Sequence, residues 1–415
     1  MGLLTSGTGA DGADLRFYQW LGLIALFALI VRLAIRLVVG TDNYWTHGYS
    51  QYADLAQSLC AGHGYAFPGE PPTAFRVPFY AFLVAVTTCG AGSPWPLIAA
   101  QALASSTTAL LAGLIARRMA GSAAGLAAAA IYAVWSYAAW HDVSLQESGF
   151  FAFLSALATW LLISLRDRQR SGAVATGLLA GLVLGLGVLT RSTLLPFALC
   201  GLVWIAFTGK RWRNALLAAL AFSAVLAPWL ERAHRITGDY GLGTESGAFL
   251  YAANHPLTFS AFPTGSFDET RANVFAAMSQ TESAEVARLD VSGQDRWFRA
   301  RAITAITADP LTLVPRAMRK LWAAFGPWPV PRHSLSADLA YAVCWVPFVL
   351  LALTGLWLRR REWRVDLLLH LQFLTFCAAT ALFWAQTAHR SAIDPFLAVF
   401  AGVALAKLRA KRTRI

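Results

Sequence analysis

Eight ionisable side chains fall at the edges of long apolar runs in this 415-residue chain: Asp42, Asp142, Glu147, Arg191, Glu231, Arg232, Arg390 and Asp394. Ionisable groups beside hydrocarbon are costly enough to mark function by default, above all when they gather at one depth. A carboxylate so placed takes a proton from a hydroxyl, while guanidinium forks hold a phosphate and offset the charge it gains on leaving. Together they suit transfer of a group from a phosphate. A lipid-borne phosphate accounts for a site at membrane level, because the tail stays in hydrocarbon while the head reaches the carboxylates. Each residue also has a plainer reading, as the point where a helix meets water.

The elements that must position these groups are membrane helices. Hydrophobic residues make up 57% of the chain and charged residues only 13%, against the roughly 25% charged usual in soluble domains, and the mean hydropathy is +0.51. The 22 acidic and 34 basic residues cannot cover the surface of an ordinary soluble enzyme of this length. A crossing needs about 20 mostly apolar residues, since every backbone amide in hydrocarbon must find an internal partner. Ten stretches meet that expectation, near 19–39, 97–116, 121–139, 148–165, 172–190, 192–209, 214–230, 339–358, 366–385 and 393–408, whereas Phe79 to Thr88 is too short. The fold class expected is an all-α polytopic membrane protein of about ten transmembrane helices, with outer interfacial helices and a small outer loop domain. Gly177, Gly181 and Gly185 recur every fourth residue within one span, a spacing that admits a close neighbouring helix.

Orientation follows from the basic clusters. Arg117 and Arg118, Arg166 to Arg170, Lys210 to Arg213, Arg359 to Arg364, and Lys407 to Arg414 fall on alternate connections and hold 17 of the 34 basic residues, which places them and both termini in the cytoplasm. The net charge of +12 therefore reads as insertion bias, not as nucleic-acid binding. Two long segments lie on the other face, about 40–96 and 231–338, with seven of the eight histidines on that side. The chain divides accordingly into an N-terminal transmembrane module (1–230) with a catalytic first outer loop, a large outer loop (231–338) with interfacial helices, and C-terminal transmembrane helices (339–415). Of the five cysteines, only Cys60 and Cys89 are placed to pair.

An ordered set of motifs runs along nearly the whole chain. Asp42 follows the first span; then come Tyr52-Ala-Asp-Leu-Ala56, Gly62-His-Gly-Tyr65 and Pro72-Thr-Ala-Phe-Arg76-Val-Pro78-Phe-Tyr80. Ser144-Leu-Gln-Glu147 opens the fourth span, and Gly181 to Arg191 ends the fifth in Leu-Thr-Arg. Pro228-Trp229 with Arg232, Gly247-Ala-Phe-Leu-Tyr251, Asn254-His-Pro256, and His389-Arg390 through Pro395-Phe-Leu complete the set. In that order they resemble the GT-C class of integral membrane glycosyltransferases, in the branch of protein O-mannosyltransferases and the aminoarabinose transferases of lipid A.

The resemblance implies that Asp42 is the general base, with Asp54 as its rival and His47 able to assist or replace either. It makes Glu147 the second acid, positioning acceptor or donor, and Arg76 the basic residue that meets the donor phosphate, with Arg191 and Arg390 as further contacts. Asp142 and Arg232 complete the expected cleft. The implied reaction moves a sugar from a polyprenyl-phosphate donor to a hydroxyl of a lipid, glycan or protein acceptor by a single inverting displacement at the outer face of a bacterial inner membrane. No nucleoside diphosphate leaves, so no cofactor is required, and a divalent metal is compatible with the acids and histidines on that face. The rival readings are a secondary transporter or flippase of a lipid or glycan, which would carry ionisable residues at the midplane of interrupted, repeated helices, and a membrane assembly subunit without catalysis.

Overall fold

The computed structural model describes residues 8–46, 48–167, 172–208, 212–384 and 386–412. The N-terminal part contributes α1 (Thr8–Val39), α2 (Gln51–Cys60), α3 (Phe79–Thr88), α4 (Trp95–Ala120), α5 (Ser122–Val134), α6 (Ser136–Asp142), α7 (Ser148–Asp167), α8 (Ala173–Thr190), α9 (Leu195–Phe207) and α10 (Trp212–Thr237). The large outer loop forms α11 (Ser246–Asn254), α12 (Phe267–Ala276), α13 (Gln280–Ala287), α14 (Val291–Ala308) and α15 (Pro310–Phe325). The chain closes with α16 (Leu335–Leu358), α17 (Leu367–Leu382) and α18 (Asp394–Arg412). Among the described residues there are isolated bridges but no strands, so the fold is all-α and polytopic.

Among the described residues, six helices are each long and apolar enough to cross a membrane, α1, α4, α7, α8, α10 and α16, and α5 and α6 count as a seventh when the bent pair is taken together. The other expected crossings fall on α9, α17 and α18. At 1.5 Å per residue, the 16 residues of α17 reach about 24 Å, short of the roughly 30 Å hydrocarbon. The segment Phe79 to Thr88 is a ten-residue helix, as its length implied.

The expected straight span over 121–139 is interrupted. Trp135 takes an extended conformation, φ −65° and ψ 91°, and α5 and α6 meet there at 61°. The Trp135 indole N–H donates to Asp394 at 2.7 Å. Arg32 supplies a partner to a carbonyl that the break frees, donating to Ala133 O at 3.3 Å, and it pairs with Asp142 at 3.1 Å. A break at membrane depth is tolerated where such groups re-satisfy the backbone.

The glycine stripe of α8 packs as its spacing predicts. A Cβ on Gly181 would lie 2.0 Å from Ala218 O of α10, and one on Gly185 would lie 2.7 Å from Val225 Cβ, so α10 rests directly on backbone. The centre of the bundle is α18, whose Phe396, Val399, Phe400 and Val403 are completely buried. At one end of the bundle the basic connections interlock: Arg118 pairs with Asp167, Arg359 donates to Met119 O at 2.8 Å, Arg166 reaches Val365 O at 3.5 Å, and Lys407 lies 3.8 Å from Glu362. Four of the five basic clusters thus share one face.

At the opposite end, helices meet water and their starts carry the side-chain caps that soluble helices need. Ser266 with Glu269 and Ser279 with Glu282 form capping boxes on α12 and α13. Asp290, Asp309 and Ser334 cap α14, α15 and α16. These helices enclose a second, smaller core of Ala252, Ala253, Phe267, Val274, Ala323, Val330 and Trp384. On α15, Leu311, Val314, Met318 and Trp322 form an outward stripe, 61–85% exposed. Lys320 on the buried side ties this helix to the end of α17, donating to Ala381 O at 3.0 Å and Leu382 O at 3.2 Å.

Candidate active site

The first outer loop reaches the bundle through one backbone contact. Tyr49 N donates to Leu145 O at 3.0 Å, and Gly48 forms a parallel bridge with Leu145. Gly48 has φ +99°, and a Cβ there would stand 2.7 Å from Leu145 O. Glycine alone meets both demands. Gln101, completely buried on α4, holds the same junction from below. Its amide donates to Asp142 O at 2.8 Å and Ser144 O at 2.7 Å, and its carbonyl accepts from the hydroxyls of Tyr44 and Tyr80, each at 3.1 Å. The turn that presents Glu147 at the start of α7 is therefore fixed by its full hydrogen-bonding capacity.

Glu147 is 4% exposed. Its Oε1 lies 3.8 Å from Arg191 Nη1 at the end of α8, which exceeds hydrogen-bonding distance. Glu147 Oε2 and Arg191 Nη1 are both buried with no hydrogen-bond partner. Buried charged atoms left open in this way are rare. Among the described residues, each keeps an unused hydrogen-bonding position.

Around this pair lie groups from four other segments. The Tyr49 hydroxyl and His389 Nε2, the latter in the connection before α18, are 3.0 Å apart. Burial, and then the Glu147 carboxylate, push the Tyr49 hydroxyl up to about 12. Burial, followed by the Arg191 and Arg76 guanidiniums, holds His389 well below its usual range, so its imidazole is neutral near pH 7. The Arg76 guanidinium stands 5.3 Å from the centre of the Tyr49 ring and donates through Nε to Glu245 at 3.0 Å. Arg271 of α12 donates to the other Glu245 oxygen at 2.8 Å. Three guanidiniums (Arg76, Arg191, Arg271) thus face two mostly buried carboxylates (Glu147, Glu245), while Asp268, 3.5 Å from Arg271, is more than half in solvent. The five mostly buried groups leave one guanidinium unmatched, and the exposed Asp268 brings the cluster to neutrality.

The structure brings Glu147, Arg191 and Arg76 together. Asp42 lies in the turn after α1, exposed and, among the described residues, without a hydrogen bond or ion pair; two residues on, Tyr44 ties that turn to Gln101. Asp54 is half-buried in the first turn of α2. His47 falls outside the described residues. Three expected contacts are engaged elsewhere. Asp142 is completely buried, held by Arg32 and Ser105. Arg232 donates to Thr73 O at 2.6 Å and Tyr65 O at 2.8 Å, clamping the first outer loop. Arg390 is fully buried, donating to Asp394, Ala324 O and Tyr341 and lying 3.4 Å from the centre of the Trp345 ring.

Sequence reasoning missed Tyr49, Glu245 and Arg271, and gave His389 no role of its own. Nothing local marks Glu245, whose partner Arg76 is 169 residues distant. Among the described residues no three His, Cys, Asp or Glu side chains gather closely enough to hold a metal ion.

Residues 72–230 match the family model described as dolichyl-phosphate-mannose-protein mannosyltransferase. No curated protein sequence matches the chain. Among solved structures, the chain is similar to the oligosaccharyltransferase of Archaeoglobus fulgidus in its apo form, at 15% identity over 95% of this chain and 51% of that one, with a TM-score of 0.54. The same archaeal enzyme, AglB, in complex with an inhibitory peptide and a dolichol-phosphate, gives 15% identity, 95% and 52% coverage and a TM-score of 0.52. ArnT from Cupriavidus metallidurans bound to undecaprenyl phosphate aligns at 15% identity over 97% of this chain and 79% of that one, with a TM-score of 0.39. This chain spans about half the length of the archaeal structures. The family match covers under half of the chain, and the archaeal structures share its fold.

Proposed function

We propose that this protein transfers a sugar from a polyprenyl-phosphate donor to a hydroxyl acceptor on the outer face of a bacterial inner membrane. The observation that carries the reading is the open Glu147–Arg191 pair, buried beside Arg76 and the Tyr49–His389 contact. Three guanidiniums gathered at the ends of membrane helices suit the phosphate of a lipid. The archaeal enzyme whose fold this chain shares is solved with a dolichol-phosphate. The Cys60–Cys89 disulfide, which closes the α2–α3 segment, fits an oxidising compartment for the first outer loop, and the shared basic face fits a cytoplasmic position for both termini.

In this mechanism Asp42 takes the proton of the acceptor hydroxyl, and the acceptor oxygen bonds to the anomeric carbon from the side opposite the phosphate. The bond from that carbon to the phosphate oxygen breaks, its electron pair stays with polyprenyl phosphate, and the configuration inverts. Arg76 and Arg191 meet the charge that grows on the departing phosphate, while Glu147 positions the reacting groups. The acceptor is a lipid, a glycan or a protein.

The test uses the full chain in lipid nanodiscs with a radiolabelled polyprenyl-phosphate sugar. Wild type transfers label to acceptor, and Asp42→Asn lowers transfer by about a hundredfold or more while donor binding persists. Full turnover in Asp42→Asn removes Asp42 as the base. No transfer from any donor removes the enzyme itself.

A further inference from the structure

A cavity of about 230 Å³ lies between the end of α10, the start of α14 and the first outer loop, lined in part by Tyr240, Asp239, Ser292, Asp295, Arg296 and Arg299. We infer that it is a subsite for one neutral sugar ring of a glycan acceptor. The inference rests on the transfer reaction proposed above and names its acceptor class.

Arg296 pairs with Asp239 at 2.6 Å, and Arg299 pairs with Asp295. Each acid is matched by a base, so the lining has no excess with which to attract an anion or a cation. The same ion pairs offer planar donors and acceptors side by side, supplemented by the Ser292 hydroxyl, which donates to Thr237 O at 2.7 Å and retains acceptor capacity. Vicinal sugar hydroxyls, each both donor and acceptor, match such a lining.

Tyr240 supplies the other half of sugar recognition. Its ring lies flat on His234, with centroids 4.1 Å apart and 7° between planes, yet Tyr240 remains 67% exposed. A fixed aromatic face presents negative charge density to the slightly positive C–H groups of a pyranose. The volume is below the roughly 300–1,000 Å³ of sites for drug-sized ligands, which admits a single ring.

Position relates the cavity to the reaction. Its wall includes Ala74 and Thr244, joined by Thr244 N donating to Ala74 O at 3.1 Å. One residue beyond Thr244 is Glu245 and two beyond Ala74 is Arg76, the pair that borders the reaction cluster. At about 3.8 Å per residue, the cavity wall lies within two residues of chain from the Arg76–Glu245 pair.

The test reads binding without catalysis. Saturation-transfer NMR is recorded on the full chain in lipid nanodiscs, which carry no sugar detergent, with methyl α-mannoside, methyl α-glucoside, methyl β-galactoside and glucuronate as probes. At least one neutral glycoside shows transfer to its ring protons, glucuronate shows no more, and Tyr240→Ala and Arg296→Ala each cut the signal at least fivefold with melting temperature unchanged. Both side chains are more than half exposed, so both variants fold. Absence of signal from every neutral glycoside, signal undiminished in both variants, or displacement of the glycoside by a serine- and threonine-containing peptide overturns the subsite. Asp42→Asn leaves the glycoside signal intact, and absence of sugar transfer by wild type with intact glycoside binding counts against the reaction and not against the subsite.

Discussion

Arg76 of the first outer loop donates to Glu245 of the large outer loop at 3.0 Å, and Glu245 shares its second oxygen with Arg271. One carboxylate thus orients two guanidiniums drawn from segments far apart in the chain. Both partners of the first bond are at most one-fifth exposed, so solvent screens the contact less than it screens a surface pair. Glu245→Ala is expected to lower sugar transfer about tenfold, through a higher KM for the lipid donor. A double-mutant cycle with Arg76→Lys, read from transfer rates, should give a coupling of about 0.5–3 kcal/mol. Additive effects would show that the two residues act independently.

Two glycines of the first outer loop separate backbone strain from steric exclusion. Gly48 and Gly62 both have positive φ, +99° and +79°, but a Cβ on Gly62 meets nothing within 4 Å whereas one on Gly48 meets Leu145 O at 2.7 Å. Gly62→Ala is expected to cost only the left-handed penalty, about 1–2 kcal/mol. Gly48→Ala also breaks the docking of Tyr49, so thermal unfolding should fall further and transfer should drop with it. Equal effects of the two substitutions would refute the contact.

Gln101→Leu replaces a buried amide that satisfies two carbonyls and two tyrosine hydroxyls. A buried polar group left without a partner costs about 1–3 kcal/mol, so the sum is several kcal/mol even when some groups find water. The expected result is a clear fall in melting temperature and loss of transfer, since the turn before Glu147 loses its support. A variant that melts like wild type would show that the junction does not depend on Gln101.

His389 makes stability depend on pH. Its folded pKa lies well below 6.5, through burial first and the nearby arginines second. Between that value and 6.5 the unfolded chain binds the extra proton, so stability rises with pH across this window, by up to about 1.4 kcal/mol per unit, and is fully present above the unfolded value. As pH falls below about 6.5 the wild type should lose stability, while His389→Gln, which cannot titrate, should lose less. Melting curves from pH 5 to 8 check this; parallel curves for the two proteins would exclude His389 as the cause.

Features with a local signature were legible in the sequence. Helix packing on the Gly177–Gly181–Gly185 stripe, the short helix after Pro78 and the Cys60–Cys89 pair all follow from spacing or length. The break at Trp135 does not, because its cause is an indole bond to Asp394, 259 residues later, in a run whose composition reads as one continuous helix. The candidate site divides in the same way. Glu147 and Arg191 stood out as charges at the rims of apolar runs and Arg76 through the motif order, but Asp142, Arg232 and Arg390 stood out as rim charges too. What separates the two groups is which partner each one meets in three dimensions: Asp142 meets Arg32, Arg232 meets loop carbonyls and Arg390 meets Asp394. Composition carries no record of those meetings.

The stripe of Leu311, Val314, Met318 and Trp322 on α15 sits level with the end of α17, to which Lys320 fastens the helix. A detergent belt wrapped tightly around the vertical helices would leave this oily edge wet, and molecules would clump through it during purification. Wide bilayer discs supply acyl chains beneath the stripe as well, and are the better medium for isolating the protein as single, dispersed particles.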